Sequence, residues 1–183
     1  MWDTMSASRE KRKELHEAYV RELEPALARL RIRLSGPGDP QLDGSIESLD
    51  AVNEWFLALI KERHETETVD LPSWWDPARP TDESDIPGSG PFTLVQLALI
   101  DEVQAYLGEV LIAAIPGAHW VIYKGSKRDF RNGLTMLEVG RKGGPLPVRD
   151  VVYKEALGIV LSGREVAVDT LSSWVRETMA ALA

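Results

Sequence analysis

Apolar positions along the chain follow two different periods, which divide the sequence into helical and extended parts. Residues 119–124 and 134–139 alternate between apolar and polar side chains and are rich in β-branched and aromatic types, as strands are. Asn132 and Gly133 between them are a strong turn signal, so these two segments are predicted to form a β-hairpin. Apolar side chains every three or four positions predict helices over about residues 8–33, 48–64, 92–115, 148–161 and 169–182.

Individual residues refine the ends of these helices. Pro25 cannot donate a helical hydrogen bond, so a kink or a break is expected inside the first helix. Ser48 is predicted to cap the second helix, and Asp50 in its first turn suits the positive end of the helix dipole. Gly163 is expected to end the fourth helix, and Asp169 is expected to cap the fifth.

The helix over about residues 92–115 is apolar around most of its circumference and is therefore predicted to be central. Gly108 in its interior indicates a close approach of another backbone, or a kink. A hairpin is unstable alone and must pack on helices. The fold class predicted is α+β, mostly helical, with a β-hairpin at about 118–140 packed on the central helix, in one globular domain over 1–183.

A long loop over residues 66–91 interrupts the helical pattern. It holds five prolines, two glycines and the pair Trp74 and Trp75. Each tryptophan can bury on the order of 200 Å², so both are expected to anchor the loop over the core. The rest of the loop is expected to contact a ligand or a partner. Residues 1–7 precede the first helix and are expected to lack order.

Charge is distributed in blocks around a net charge of −8. Residues 43–109 carry fifteen acidic and three basic side chains, whereas residues 120–149 carry seven basic and two acidic ones. The chain contains no cysteine, which excludes a disulfide scaffold and thiolate metal sites. The N-terminal residues lack the apolar stretch of a signal peptide, and the longest aliphatic run is residues 110–115. A cytoplasmic location is predicted.

Residues able to carry chemistry are few. His16, His64 and His119 show no metal-ligand spacing, so neither a metal nor a cofactor is expected. The best enzymatic candidates are Glu109 and His119, near the end of the central helix and at the start of the strand that follows. They would form a cleft with Trp120 and Lys124, suited to binding a small molecule or to hydrolysis. The alternative is that these side chains are structural.

The predicted hairpin suggests a second alternative, single-stranded nucleic-acid binding over residues 120–149. Single strands are held by cations that neutralise phosphates and by aromatic rings that stack on bases. The same mixture arises when a hairpin turns aromatic side chains inward and lysines outward, so nucleic acid is not the favoured partner. The residues concerned are Lys124, Lys127, Arg128, Arg131, Arg141 and Lys142, with Trp120, Tyr123 and Phe130 among them.

Three short motifs resemble a known group of proteins. The segment 45–50 reads S-I-E-S-L-D, the segment 106–110 reads Y-L-G-E-V, and Trp120 follows in a predicted strand. In this order they resemble an uncharacterised bacterial, mainly actinobacterial, protein family with an SLD helix start, a YLGE helix and a tryptophan-bearing strand. The resemblance covers roughly residues 43–160. It implies that the YLGE helix and the hairpin form one compact unit, and it implies no activity.

The function predicted from these observations is a non-enzymatic protein-binding module, similar in role to an immunity protein or a chaperone. The acidic block at 43–109 would supply the binding surface, because a field of one sign steers a partner of the opposite charge. Self-association through the helical faces is left open, and no membrane association is expected. The six candidate binding residues are Glu109, His119, Trp120, Lys124, Trp74 and Trp75.

Overall fold

A computed structural model describes residues 7–62, 72–74, 91–126, 128–140 and 144–183. The predictions for His64, Trp75, most of the 66–91 loop and residues 1–6 lie outside these ranges. The architecture is mostly helical α+β with a small antiparallel sheet, as the sequence predicts. The elements are α1 (Arg9–Arg33), α2 (Ser48–Leu59), α3 (Leu94–Ala114), β1 (His119–Ile122), β2 (Thr135–Glu138), β3 (Pro145–Leu146), α4 (Val148–Ser162) and α5 (Thr170–Leu182).

Helix α1 runs without interruption through Pro25. Ser8 caps its start, accepting a hydrogen bond from the Lys11 N–H at 3.1 Å. The break considered for Pro25 does not occur, because α1 buries a stripe of side chains on both sides of the proline. Those contacts outweigh the one backbone hydrogen bond that proline removes. The stripe consists of Leu15, Ala18, Tyr19, Leu23, Ala26, Leu27 and Leu30.

Helix α2 begins one residue earlier than a cap at Ser48 would require. Glu47 occupies the cap position and Ser48 is the first helical residue, which corrects the assignment of Ser48 as the cap. Ser45 does the capping work instead, since its Oγ accepts the Ser48 N–H at 3.1 Å. The Ser48 hydroxyl is then free to bond the Tyr106 hydroxyl on α3 at 2.6 Å. The helix ends at Leu59, short of the predicted end at 64.

Helix α3 is the centre of the molecule, and sixteen of its residues are buried. Thr93 and Gln96 form a capping box at its start, with each side chain bonded to the other residue's backbone N–H. The Gln96 amide also donates to the Ile60 carbonyl at 2.8 Å, which ties the start of α3 to the end of α2. One continuous hydrophobic cluster surrounds α3 and includes buried side chains of all five helices and of β2.

The sheet has three strands in the order β1-β2-β3, and both pairings are antiparallel. The predicted hairpin is confirmed, with Trp120 opposite Leu137 and Ile122 opposite Thr135. The third strand, Pro145–Leu146, pairs with the end of β2. This strand is not among the elements predicted, because two residues are too few to show a period.

The hairpin packs closely against α3 at Gly108. The Trp120 ring lies against Gly108, where an added methyl group would be 2.6 Å from Cζ2 of the indole. A side chain therefore makes the close approach, where the sequence had suggested backbone. The edge of the Tyr19 ring meets Trp120 from α1, with centroids 5.5 Å apart. This stack fixes the position of β1 relative to both long helices.

The C-terminal elements follow the sequence closely. Gly163 ends α4 with φ of 61°, the left-handed conformation expected at this position. Asp169 occupies the cap position of α5 as predicted, but its side chain makes no capping hydrogen bond to the helix backbone. Among the helices described, none is long and apolar enough to cross a lipid bilayer.

Gly108→Ala is expected to destabilise the fold. Alanine raises helix propensity by about 1 kcal/mol, but overpacking of a core typically costs about 1–3 kcal/mol, and the rigid Trp120 ring cannot yield easily. We expect a net loss of about 1–2 kcal/mol in the free energy of unfolding, measured by chemical denaturation.

Gly158→Ala in α4 is the matched control. The atoms nearest to its added methyl group belong to the flexible Arg164 side chain, whose Nε would be 2.9 Å away and can swing aside. This variant should be neutral or more stable than the wild type. Equal effects of the two substitutions would contradict the role given to Trp120.

Candidate functional site

The structure gives Glu109 and His119 separate partners. Glu109 is 38% exposed, and its Oε2 lies 3.3 Å from Nη2 of Arg31 on α1. His119 is exposed at the start of β1, where its Nδ1 lies 2.9 Å from the Gly117 carbonyl oxygen. Among the contacts of the described residues, none joins Glu109 to His119. Glu109 thus links two helices and His119 folds back on its own turn, an arrangement that favours the structural alternative.

The remaining predicted site residues fall in different places. The Trp120 ring is occupied by its packing on Gly108. Trp74 is only 7% exposed and packs on the core, as the sequence predicts, with the Arg149 guanidinium 5.9 Å from its ring centroid. Trp75 lies outside the described residues. Lys124 is exposed and lines a groove that is described below.

That cavity, here called the edge groove, lies between the N-terminal half of α1 and the chain at Val121–Lys124. It has a volume of about 910 Å³ and is open to solvent. Four consecutive residues of the strand and its continuation line it, whereas a sheet face would contribute only alternate ones. The groove therefore follows the edge of the strand. Its lining is Ala7, Arg9, Glu10, Arg12, Lys13, His16 and Glu17 with Val121, Ile122, Tyr123, Lys124 and Asn132.

Strand β1 leaves this edge without a neighbouring strand in the described part of the chain. The Tyr123 N–H donates to the Leu134 carbonyl at 2.8 Å, and the Tyr123 carbonyl accepts from the Gly133 N–H at 2.9 Å. Backbone groups in an antiparallel strand point to alternate sides, so the N–H and C=O of Ile122 point away from β2, to the side where the described chain has no neighbouring strand. Within the described chain, no hydrogen bond to these two groups of Ile122 is found. The edge can accept one more strand.

The walls of the edge groove carry more basic than acidic side chains. Lys13 is paired with Glu17 at 3.3 Å across one helical turn. Arg9 and Lys124 have no ion pair among the described residues. Burial lowers the pKa of His16, which opposes protonation of its ring, and its Nδ1 lies 3.1 Å from Oγ1 of Thr135. The groove therefore presents a net positive charge to an incoming ligand.

An exposed aromatic side chain lies in the loop that follows the groove. Phe130 is 68% exposed, and the Arg131 guanidinium lies 5.9 Å from its ring centroid and 5.3 Å from that of Tyr123. Asp129 holds Arg131 in place, with Nη2 2.9 Å from its Oδ2. Hydrogen bonds from Arg131 hold the pKa of Asp129 well below its usual range. Aromatic and arginine side chains in this arrangement are typical of residues that dominate binding energy at interfaces.

A second polar cluster, the Asp101 cluster, is closed to solvent. The Asp101 carboxylate accepts hydrogen bonds from the Ser73 N–H at 3.0 Å and from the Ser73 hydroxyl at 2.5 Å. The Arg29 guanidinium and the Gln104 amide donate to it at 3.1 and 3.0 Å. Burial raises the pKa of Asp101 to about 6, against the lowering effect of the Ser73 hydrogen bonds and of Arg29. The cluster joins α1, α3 and the 72–74 segment and is architectural.

Glu102 is the neighbouring carboxylate in the interior and is matched by two arginines of α1. Its Oε2 lies 2.8 Å from Nε of Arg33, and its Oε1 lies 3.6 Å from Nε of Arg29. Each contact is an ion pair between a carboxylate oxygen and a guanidinium nitrogen. Burial raises the pKa of Glu102, and Arg33 and Arg29 oppose that rise. Two acids of the 43–109 block are thus absent from the surface.

Glu155 is a buried carboxylate that sequence analysis missed. It is 4% exposed, and neither carboxylate oxygen has a hydrogen-bond partner. Burial raises its pKa to about 7, and Arg164 opposes the rise. The signal was present in the sequence, because Glu155 continues the apolar stripe of Val148, Val152 and Ile159 at helical spacing.

In the ranges that the structure describes, no group of three or more histidine, aspartate or glutamate side chains is placed to hold a metal ion. The buried carboxylates of Asp101 and Glu102 are paired with arginines of α1. The edge groove combines free backbone groups, unpaired cations and solvent access. It is suited to recognition of a chain and is the candidate functional site.

Glu155→Gln is expected to change how stability depends on pH. The pKa of Glu155 is raised in the folded protein, so its contribution is complete below about pH 4.5 and is lost as the pH rises through about 7. A shift of this size corresponds to on the order of 3 kcal/mol. Chemical denaturation at pH 5 and pH 8 should show that the free energy of unfolding of the variant rises relative to that of the wild type only at pH 8.

The exposed Glu165 supplies a control with the same change of charge. Glu165→Gln should leave the difference between pH 5 and pH 8 as it is in the wild type. If Glu155→Gln behaves in the same way, Glu155 is not buried as a carboxylate.

Asp101→Asn is expected to destabilise the fold by about 3 kcal/mol, because removal of a buried charge leaves Arg29 without its counterpart. An amide also turns one donor group toward the donors of Ser73 and Gln104. Ser73→Ala removes one donor of the cluster and should cost less, about 1–2 kcal/mol. Urea denaturation at pH 7 compares the two, and the reverse order would contradict the arrangement of the cluster.

Comparison with known proteins adds no assignment to this geometry. No family model matches the chain, no curated protein matches it, and no solved structure matches its fold. The resemblance carried by the S-I-E-S-L-D and Y-L-G-E-V motifs stays a prediction.

Proposed function

We propose that this chain is a non-enzymatic protein-binding module whose partner adds an extended segment to the free edge of β1. The observation that carries the proposal is the edge groove, an open cavity beside α1 that Ile122 lines, together with the absence from the described chain of any hydrogen bond to the outward backbone groups of Ile122. We further propose that it acts in the cytoplasm, consistent with a chain without cysteine.

Strand addition explains why the groove has this form. An added strand gains affinity from main-chain hydrogen bonds and gains specificity from the surroundings of alternate side chains. The groove offers both, since the β1 edge supplies the hydrogen bonds and α1 supplies a wall of charged side chains. The chain at Val121–Lys124 spans about 13 Å, so a segment of about four to six residues is accommodated.

An exposed strand edge needs protection when no partner is bound. Natural proteins place lysine and other charges at such edges, or cover them with a helix. Lys124 and the basic side chains of α1 meet this need and leave the cavity open. A permanently covered edge would have no room for a segment, so the open groove supports a binding role.

The acidic surface suggested by the charge blocks receives less support from the geometry. Asp101 and Glu102 are interior and cannot contact a partner. Glu47 is paired with Arg176 on α5 at 3.5 Å, and Glu109 with Arg31. The hydrolase alternative at Glu109 and His119 would require the two side chains to leave their present partners. The edge groove is therefore preferred to both.

The test compares Ile122→Pro with Ile122→Val. Proline removes the N–H that points away from β2 and leaves the bonds to β2, since proline is tolerated at the edge of a sheet. Valine keeps the N–H and trims the same side chain. Peptides selected from a displayed random library against the wild type should bind the valine variant and lose about tenfold or more in affinity for the proline variant.

The site of binding is read from amide chemical shifts in NMR spectra. Changes should centre on residues 121–124 and on the first two turns of α1. Failure to select any peptide, or shift changes confined to another surface, would overturn the proposal. A circular-dichroism melt of Ile122→Pro confirms that the fold is intact before binding is compared.

A further inference from the structure

We propose that the segment bound in the edge groove is acidic, with carboxylates at every second position and apolar residues between them. This inference rests on the proposed function, because it takes strand addition at β1 as the binding mode. It names the partner as an extended acidic stretch of another protein. Three observations support it: the charge of the groove, the faces to which the side chains of an added strand project, and the charge of the remaining surface.

The walls of the edge groove carry four basic side chains and two acidic ones. One acidic side chain, Glu17, is already matched by Lys13. Arg9 and Lys124 lie on opposite walls and have no ion pair among the described residues, so their charges are available to a ligand. The remaining acidic side chain, Glu10, does not cancel both. A bound segment with carboxylates therefore completes the ion pairs of the groove.

The position of α1 on one face of the sheet specifies which positions of the bound segment are acidic. Side chains of neighbouring strands that lie side by side project to the same face of a sheet. Ile122 shares its face with Thr135, and the Thr135 hydroxyl lies 3.1 Å from the His16 ring on α1. Residues of an added strand that lie beside Ile122 therefore project toward α1 and its basic side chains. Because side chains alternate along a strand, these residues recur at every second position.

The intervening positions project to the opposite face, which carries Val121 and Tyr123. Tyr123 is in contact with Arg131, which also lies against the exposed Phe130. Apolar side chains at these positions have an aromatic surface to cover, and covering it removes Phe130 from water. The segment is thus two-sided, with carboxylates toward α1 and apolar groups toward Tyr123 and Phe130.

The rest of the molecule restricts where such a segment binds. The net charge of −8 repels an acidic ligand from most of the surface, while the groove attracts it. Like-charge repulsion elsewhere increases the selectivity for the groove without any additional contact. Single-stranded nucleic acid is also anionic, but the Trp120 ring is packed on Gly108 and Arg131 is held by Asp129, which leaves fewer free groups for bases and phosphates among the described residues. Lys127, Arg141 and Lys142 lie outside the described ranges.

The test uses a synthetic peptide of about seven residues in which glutamate alternates with valine, about 23 Å long when extended. The two reference peptides replace glutamate with lysine or with glutamine. Fluorescence anisotropy should show binding in the order glutamate, glutamine, lysine. Affinity for the glutamate peptide should fall as salt rises from about 0.1 M to about 1 M, where the screening length drops from about 10 Å to about 3 Å.

The double variant Arg9→Glu with Lys124→Glu reverses the two available charges. It should bind the glutamate peptide about tenfold more weakly and the lysine peptide more tightly. Glutamate in the first turn of α1 suits the helix dipole, so folding is preserved. Lys154→Glu is the matched control, because Lys154 is exposed on α4 and has no ion pair among the described residues. It should leave the affinity within about twofold of the wild type.

The outcomes separate this inference from the proposed function. If the glutamine or lysine peptide binds best and shifts the amides of residues 121–124, strand addition holds and the acidic partner is wrong. If the glutamate peptide binds and shifts only the amides of other residues, the groove is not the binding site.

A single-stranded oligothymidylate that displaces the glutamate peptide at equal concentration would assign the groove to nucleic acid. A dimer in analytical ultracentrifugation that Ile122→Pro dissociates would assign it to a second copy of the chain. Either result overturns the acidic-peptide proposal.

Discussion

A helix that is buried on nearly every side has to satisfy its own polar side chains from within the protein, and this constraint organises the structure. Helix α3 carries Asp101, Glu102 and Gln104 in its interior stretch, and none of the three reaches solvent. Leaving such groups unpaired would cost several kcal/mol each. The rest of the fold supplies their partners. Arginines come from α1, and the 72–74 segment contributes the backbone and hydroxyl of Ser73.

The same constraint places the candidate site. The C-terminal half of α1 is tied to α3 by Arg29 and Arg33, and its middle is held by Tyr19, which donates to Gln104 and meets Trp120. With these contacts fixed, the N-terminal turns of α1 extend past α3 and along β1. The edge groove is the space between that extension and the strand. The core contacts of α1 and β1 set the distance between the two sides of the groove, so a substitution at Gly108 or Tyr19 would change that distance.

Much of the fold could be predicted from the sequence, because the strongest patterns were local. The five helices, the hairpin and the central position of α3 follow from periodicity and from turn residues such as Gly163. The short strand Pro145–Leu146 could not be predicted, since two residues carry no period. Ser48 was predicted as the cap of α2, whereas the cap position is Glu47, one residue earlier. Both Ser45 and Ser48 are good capping residues, and the structure distinguishes them because Ser45 accepts the Ser48 N–H while the Ser48 hydroxyl bonds Tyr106.

The candidate site was less accessible from the sequence for a physical reason. Charge counting cannot tell a surface carboxylate from one that α1 neutralises, so Asp101 and Glu102 were counted with the acidic surface. Residues 109 and 119 are close in the sequence, which suggested that their side chains act together in one cleft. The turn between them instead leads the two side chains to different partners. The edge groove joins positions more than a hundred residues apart, and only the tertiary structure brings them together.

The pairing of α1 with α3 also has a consequence for the order of events during synthesis. Arg29 and Asp101 are 72 residues apart, and Tyr19 and Gln104 are 85 residues apart. At translation rates of about 5–20 residues per second, Arg29 leaves the peptidyl transferase centre about 4–14 s before Asp101 is added. During that interval the apolar stripe of α1 has no α3 to cover it, and Arg29 and Arg33 lack the carboxylates that they pair with in the fold. Synthesis of α3 then supplies the apolar surface and the buried carboxylates together, so the two helices complete each other in one step.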